Sequence, residues 1–245
     1  MPIATPQSRA HASPAAAPAS RATPAELSAL AASLYAKSHG GALLRLLQQY
    51  RPYIAPFEEL LPLVPPGSRV LDVGCGGGLF LHLLAARVGL SASLGFDSSA
   101  AAIKVASEVR HRTALTGLAP AFVHVGVESP WPGPPLCPKV FDVVSIIDVM
   151  HHVPPDQQQK LIQTAASRVA TNGILIYKDM CRRPRWRATA NRLHDLVLAR
   201  QWINYAPIEQ VEVWARHAGL VLEKSASFNR WWYGHELRVF RNPAG

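Results

Sequence analysis

Between residues 65 and 180, short, mostly apolar runs alternate with longer stretches in which apolar residues recur every three or four positions. The short runs cover residues 70–73, 93–97, 122–125, 141–147 and 174–177. Runs of that length without polar alternation are expected of strands buried on both faces of a parallel sheet. Helices are expected from residue 79, over 100–115 with a stop at Thr116-Gly117, and over 155–169 with an end at Thr171-Asn172-Gly173. Strand and helix in regular alternation predict an α/β fold around a mostly parallel sheet. Lys178-Asp179-Met180 then falls at the carboxyl end of the fifth strand, on the edge where such sheets bind ligands.

The flanks follow other patterns. Residues 1–22 are rich in Ala, Pro and Ser and carry no acid. Such a tail buries too little apolar surface to offset its ordering entropy, and disorder is expected. Prolines and arginines interrupt any secretory core, whereas a transit peptide would share the Arg- and Ser-bearing, acid-poor composition. Residues 23–64 predict a helical cap. Thr23-Pro24-Ala25-Glu26 reads as a capping box before Leu27, Leu30, Ala31 and Leu34 at helical spacing. Gly40-Gly41 breaks that helix, and further helices are expected over 43–50 and 56–63, before Pro65-Pro66-Gly67. Beyond the fifth strand the pattern predicts helices over 188–203 and 207–218 and strands over 220–223 and 236–240. The connection between those strands, residues 228–235, is unusually aromatic.

The candidate chemistry centres on Asp72-Val73-Gly74-Cys75-Gly76-Gly77-Gly78, where the first strand ends in an acid and turns into a helix. Glycines there leave backbone amides open to a docking ligand. The dinucleotide fingerprint G-x-G-x-x-G fails, because Leu79 stands where its third glycine belongs. What fits is Asp-x-Gly-x-Gly-x-Gly, which resembles motif I of the class I S-adenosylmethionine (SAM) dependent methyltransferases. Asp97 lies 21 residues beyond Gly76 at the end of the second strand, where a carboxylate can accept hydrogen bonds from both ribose hydroxyls. The alternative for Asp97, a cap on the next helix, is a role Ser98 or Ser99 can fill.

Asp148-Val149-Met150-His151-His152-Val153-Pro154 resembles motif IV of the small-molecule and quinone-type branch of that family. The resemblance implies a Rossmann-like seven-stranded methyltransferase sheet, mostly parallel with an antiparallel last strand, spanning residues 65–245. It also implies that the N-terminal helices cover the SAM and acceptor pocket; plain packing on the sheet edge is the alternative. A cofactor site would be formed by Asp72, Gly74, Cys75, Gly76, Gly78, Asp97, Ser98 and Asp148. Many members place an adenine-binding Asp just past the third strand; here that position is Val127, and Glu128 is the substitute. Trp131 would pack on adenine or anchor its loop.

Methyl transfer from a sulfonium needs alignment and water exclusion, and a base only when the acceptor arrives protonated. Imidazole suits that task near neutrality, so His151, His152 and His235 are the catalytic candidates, with Asp148 orienting one of the first two or contacting the methionine end of SAM. Lys178 and Asp179 are further candidates for acceptor contact. Structural roles for each histidine singly remain the alternative.

The resemblance also marks residues 181–206 as a helical insertion after the fifth strand, of the kind that builds acceptor pockets. Arg182, Arg183, Arg185 and Arg187 in it suit an anionic substrate, an acidic carrier protein or a peripheral membrane contact, beside the plain alternative of a solvated basic face. The net charge of +9 is compatible with each. The Asn/Asp-Pro-Pro-aromatic motif of enzymes acting on nucleic-acid amines and the Pro-Cys nucleophile of cytosine enzymes are both missing, which argues against a nucleic-acid substrate. Three widely spaced cysteines form neither a disulfide framework nor a metal set, so no metal and a cytoplasmic setting are expected. The function expected is O-methylation of a small aromatic or acyl metabolite. The rivals are C-methylation of a quinone or lipid precursor at a membrane surface, and a SAM-binding subunit without catalysis.

Overall fold

The computed structural model describes residues 21–36, 38, 41–110, 118–180, 204–230 and 233–244. All but residues 21–22 of the expected disordered tail, most of the insertion with its four arginines and the helix over 188–203 lie outside them, as do Trp231 and Trp232. Five strands pair in parallel in the order β3 (Ala121–His124), β2 (Ala92–Asp97), β1 (Arg69–Val73), β4 (Phe141–Ile147) and β5 (Val169–Met180). The sheet continues with β7 (Tyr233–Arg241), antiparallel to β5, and ends on β6 (Val221–Arg230), antiparallel to β7. This is the seven-stranded, mostly parallel Rossmann-like sheet that the apolar runs and motifs lead one to expect.

Both faces are covered, which is why the central strands lack polar alternation. On one face α1 (Pro24–Tyr35), α3 (Phe57–Leu60), α4 (Leu79–Arg87) and α5 (Ala100–Arg110) bury Leu27, Phe57, Leu81 and Val109 against Val70, Val143 and Ile176. On the other, α6 (Pro155–Ser167) and α7 (Ile208–His217) set Ile162 and Val211 against Leu71, Val144 and Leu175. Successive residues of one strand thus serve different cores, as a period of two requires.

Local chemistry sets the boundaries. The capping box forms: Glu26 N donates to Thr23 Oγ1 at 3.2 Å, and Thr23 N donates to Glu26 Oε2 at 2.7 Å. The helix expected over 43–50 is longer, α2 (Gly41–Ile54), and carries Pro52 in its last turn. The helix expected over 56–63 divides into α3 and a 3-10 turn, Leu61–Leu63, at Pro62, which has no amide to donate.

Two expectations are corrected. Thr171-Asn172-Gly173 does not end a helix running to Val169; α6 stops at Ser167 and β5 already begins at Val169. Asn172 is left-handed at φ +61°, and the β4–β5 register shifts between Phe141 and Val143. The turn residues therefore make an irregularity inside a strand that pairs on through Phe141↔Val169. The aromatic stretch 228–235 is likewise mostly strand, because β6 reaches Arg230 and β7 starts at Tyr233.

Candidate active site

The site lies along the carboxyl edge of the parallel strands. Asp72, the penultimate residue of β1, stands directly opposite Ser145 of β4, whose hydroxyl donates to Asp72 Oδ1 at 2.7 Å. Burial pushes the Asp72 carboxyl up to about 7, against the hydrogen bond from Ser145. Gly74 then turns the chain beneath Val149, and Cys75 donates its amide to Phe96 O at 3.0 Å. The Cys75 side chain fills the space left by Gly95, and burial raises its thiol well above the ordinary range.

Gly76 and Gly78 do different work. Gly78 caps α4 at φ +80°, and a Cβ there would meet the Phe122 ring at 2.7 Å. Gly76 sits at φ +53° with nothing within 4 Å of such a Cβ. Its open side is the candidate cradle. Gly78→Ala should therefore cost about 1–3 kcal/mol of stability through overpacking and left-handed strain, read by urea unfolding. Gly76→Ala should cost only about 1 kcal/mol and weaken cofactor binding instead. Equal losses of stability in the two would contradict this division.

Asp97 ties the cradle to β2. Its Oδ2 accepts from Gly76 N at 2.8 Å and its Oδ1 accepts from Ser99 N at 2.8 Å. A carboxylate has about four acceptor positions, so both oxygens retain capacity for sugar hydroxyls. It also caps the chain toward α5, where Ser99 Oγ accepts from Ala102 N at 3.2 Å. Ser98 is exposed beside it, its carbonyl 3.0 Å from His124 Nε2. Past β3, Glu128 is exposed and folds back over Gly126. Trp131 anchors that loop: its Nε1 donates to Val127 O at 2.9 Å and its ring packs on Phe96.

The exits of β4 and β5 hold two buried polar pairs. Lys178 and Asp179 are consecutive on β5 and so point to opposite faces. Lys178 Nζ donates to Asp148 Oδ1 at 2.5 Å, and Arg51 of α2 reaches Asp148 Oδ2 at 3.4 Å. Burial alone would raise the Asp148 carboxyl, but Lys178 and Arg51 outweigh it and hold it below the usual carboxylate range. Burial lowers the Lys178 ammonium from its ordinary value, with Asp148 opposing. Asp148 is left-handed at φ +56°, the turn that leads into the 3-10 helix Met150–His152.

His151 is buried in that turn, with Nδ1 2.5 Å from Asp179 Oδ1 and its amide donating to Asp179 Oδ2 at 3.2 Å. His152 is exposed, its ring 4.0 Å from that of His151. His235 is buried on the cap side; its Nε2 lies 2.8 Å from Ile54 O of α2, and burial, helped by Lys178, drops it to about 3. The structure thus brings His151 to Asp179 and Asp148 to Lys178, while His235 ties the last strand to α2.

The cap reaches the same edge. Tyr35 of α1 donates its hydroxyl to Gly77 O at 2.6 Å, and the Gln48 amide lies over Gly77. Sequence reasoning named neither Gln48 nor Arg51 and passed over Ser145. Ser145 had a signal, a lone hydroxyl in an apolar strand. The other two had none, since only the fold places α2 across the strand ends.

A sheet of this order, with an acid-and-glycine loop at β1 and a second acid at β2, defines the Rossmann-like methyltransferases that use SAM. The chain belongs to the family described as "Methyltransferase domain", whose model matches residues 45–225. It is 30% identical over 142 residues to the mitochondrial ubiquinone biosynthesis O-methyltransferase of Schizosaccharomyces pombe, covering 58% of this chain and 47% of that one. It is 27% identical over 209 residues to the trans-aconitate 2-methyltransferase of Paracidovorax citrulli, covering 77% and 76%. Among solved structures, the magnesium protoporphyrin IX methyltransferase of Synechocystis with bound SAM shares the fold, at TM-score 0.59 and 16% identity over 85% of this chain and 87% of that one. The chain spans about half the length of the curated ubiquinone relatives it matches. Among the described residues no cluster suits a metal ion, and no helix is long and apolar enough to cross a membrane.

Proposed function

We propose that the chain transfers the methyl group of SAM to an oxygen of a small aromatic or acyl metabolite. SAM, when bound, supplies an activated methyl group and a neutral thioether leaving group. The open cradle at Gly76 and the spare acceptor positions of Asp97 fit its nucleoside, and the family membership supports its use.

The observation that carries the choice of oxygen is the buried His151–Asp179 pair. Asp179 fixes the imidazole from both the ring and the backbone side. An imidazole so held is suited to take the proton of an acceptor hydroxyl, and His152 lies against it. Relatives named as O-methyltransferases support the same atom. The anionic-substrate or carrier role of Arg182, Arg183, Arg185 and Arg187 stays part of this proposal. So does a cytoplasmic setting, supported by cysteines that are free at Cys75 and Cys137.

The test is labelled-methyl transfer across a panel of phenols and acyl acids. His151→Ala should lower kcat at least about 100-fold, the scale of general-base catalysis, with SAM affinity unchanged. SAM affinity falling in step with turnover would contradict the assignment. Binding without turnover on any acceptor would favour a SAM-binding subunit.

A second acceptor class, a quinone or lipid precursor methylated on carbon at a membrane surface, is favoured by Leu46, Leu47 and Tyr50, which α2 leaves about half exposed. Co-sedimentation with anionic vesicles that weakens with salt would support it.

A further inference from the structure

Gln158 breaks the pattern of its own helix. The buried face of α6 runs Gln158, Leu161, Ile162, Ala165 and Ala166, so an amide stands where the helical period calls for an apolar residue. It is 4% exposed. A buried amide is costly unless it is bonded, and this one is. Its Nε2 donates to Asn204 O at 3.0 Å, to Val153 O at 3.2 Å and more weakly to Met150 O at 3.4 Å. Carbonyls only accept, so the nitrogen end must face them, and its two N–H bonds are divided among three acceptors. Met150 opens and Val153 closes the turn that carries His151.

Asn204 is held from its other side as well. Its amide donates to His151 O at 2.8 Å, so this one residue is clamped between the turn and α6. At the other member of the pair, Asp179 Oδ1 accepts from Met180 N at 2.6 Å while facing His151 Nδ1. Met180 and Asn204 flank residues 181–203, and each is bonded to one member of the His151–Asp179 pair. None of these bonds involves the glycine loop or Asp97. We infer that Gln158 is a positioning residue of methyl transfer: through Asn204 and Val153 its amide fixes the turn that sets the His151 imidazole against Asp179. This rests on His151 as the base. Alignment is what the reaction asks of the protein, and a misplacement of about 1 Å can cost about 100-fold in rate. A tie that served stability alone would leave the rate per folded chain unchanged.

The test is a double-mutant cycle on the full chain, with kcat measured on the phenol or acyl acid that wild type methylates fastest. Calorimetry gives the affinity for S-adenosylhomocysteine alongside. Gln158→Met keeps the side-chain length and removes the donors; it should lower kcat at least about 10-fold, with S-adenosylhomocysteine affinity within about twofold. In a His151→Ala background the same change should alter kcat by less than about twofold, because the group it positions is gone. Losses that multiply, an unchanged kcat, or an affinity that falls in step with kcat would overturn the inference. Should Gln158→Met not fold, Gln158→Asn decides: its amide on a shorter stem should give a smaller loss of kcat with the same dependence on His151, and full kcat would overturn the inference. A readout that needs no acceptor is proton NMR of the His151 Nδ1–H, which faces a carboxylate and so carries the proton. That resonance should be lost in Gln158→Met, and its persistence unchanged would contradict the inference. His151→Ala at the full wild-type rate would instead remove the base assignment, a result distinct from any of these.

Discussion

Asp97→Ala is expected to weaken SAM binding at least about 100-fold. Two contributions add. The carboxylate holds the cradle by accepting from Gly76 N and from Ser99 N, and its remaining acceptor positions face the ribose hydroxyls in the proposed complex. Hydrogen bonds to a charged group are worth about 1.5–3 kcal/mol each, and about 1.4 kcal/mol is a factor of ten. Asp97→Asn keeps one acceptor oxygen and should fall between the two. The fold should survive both changes, because Asp97 is partly exposed and its neighbours in β2 are apolar and buried. Calorimetric dissociation constants give the answer, and an unchanged affinity in the alanine variant would remove Asp97 from the site.

Asp148→Asn should cost about 3–5 kcal/mol of folding stability, because it leaves the fully buried Lys178 without its counter-charge. Asparagine tolerates the left-handed backbone at this position, so the loss reports charge and not strain. The pH dependence follows from the depressed Asp148 carboxyl. A group whose folded value lies below its unfolded one stabilises fully above the unfolded value, near 4 for an aspartate, and loses that contribution as pH falls toward the folded value. Urea unfolding at neutral pH and near pH 3 should therefore show a gap between wild type and variant that narrows on acidification. Replacing both partners, as Asp148→Asn with Lys178→Met, should recover much of the loss. A single variant as stable as wild type would mean that the pair is not buried as described.

Much of the fold was legible because burial on two faces leaves a plain record. Phe141–Ile147 was readable to the residue as a nearly continuous apolar run, and the Thr23 capping box announced its helix. The misreadings have different causes. Asn172-Gly173 carries turn chemistry, but pairing with β4 and β7 carries the strand across it, so tertiary pairing overrode local propensity there. In β6 and β7 the aromatic residues Phe228 and Tyr233 are themselves strand formers that lengthen the pair.

The site was legible where its chemistry is local in sequence. Asp72 and the glycines are one loop, and Asp97 follows at a fixed distance. The partnering of side chains across strands was not. Asp148 is near His151 in sequence, but alternation along β5 sends Lys178 to Asp148 and Asp179 to His151. Gln48 and Arg51 were invisible for a different reason: a polar residue on an amphipathic helix reads as surface until the fold lays that helix over the strand ends.

The most direct test of the central claim, that the acid-tipped glycine loop and Asp97 form one cradle for SAM, is a calorimetric titration of S-adenosylhomocysteine into the folded chain. The cradle predicts saturable binding at one site per chain, abolished or much weakened by Asp97→Ala. Folded chain that takes up neither S-adenosylhomocysteine nor SAM would contradict it.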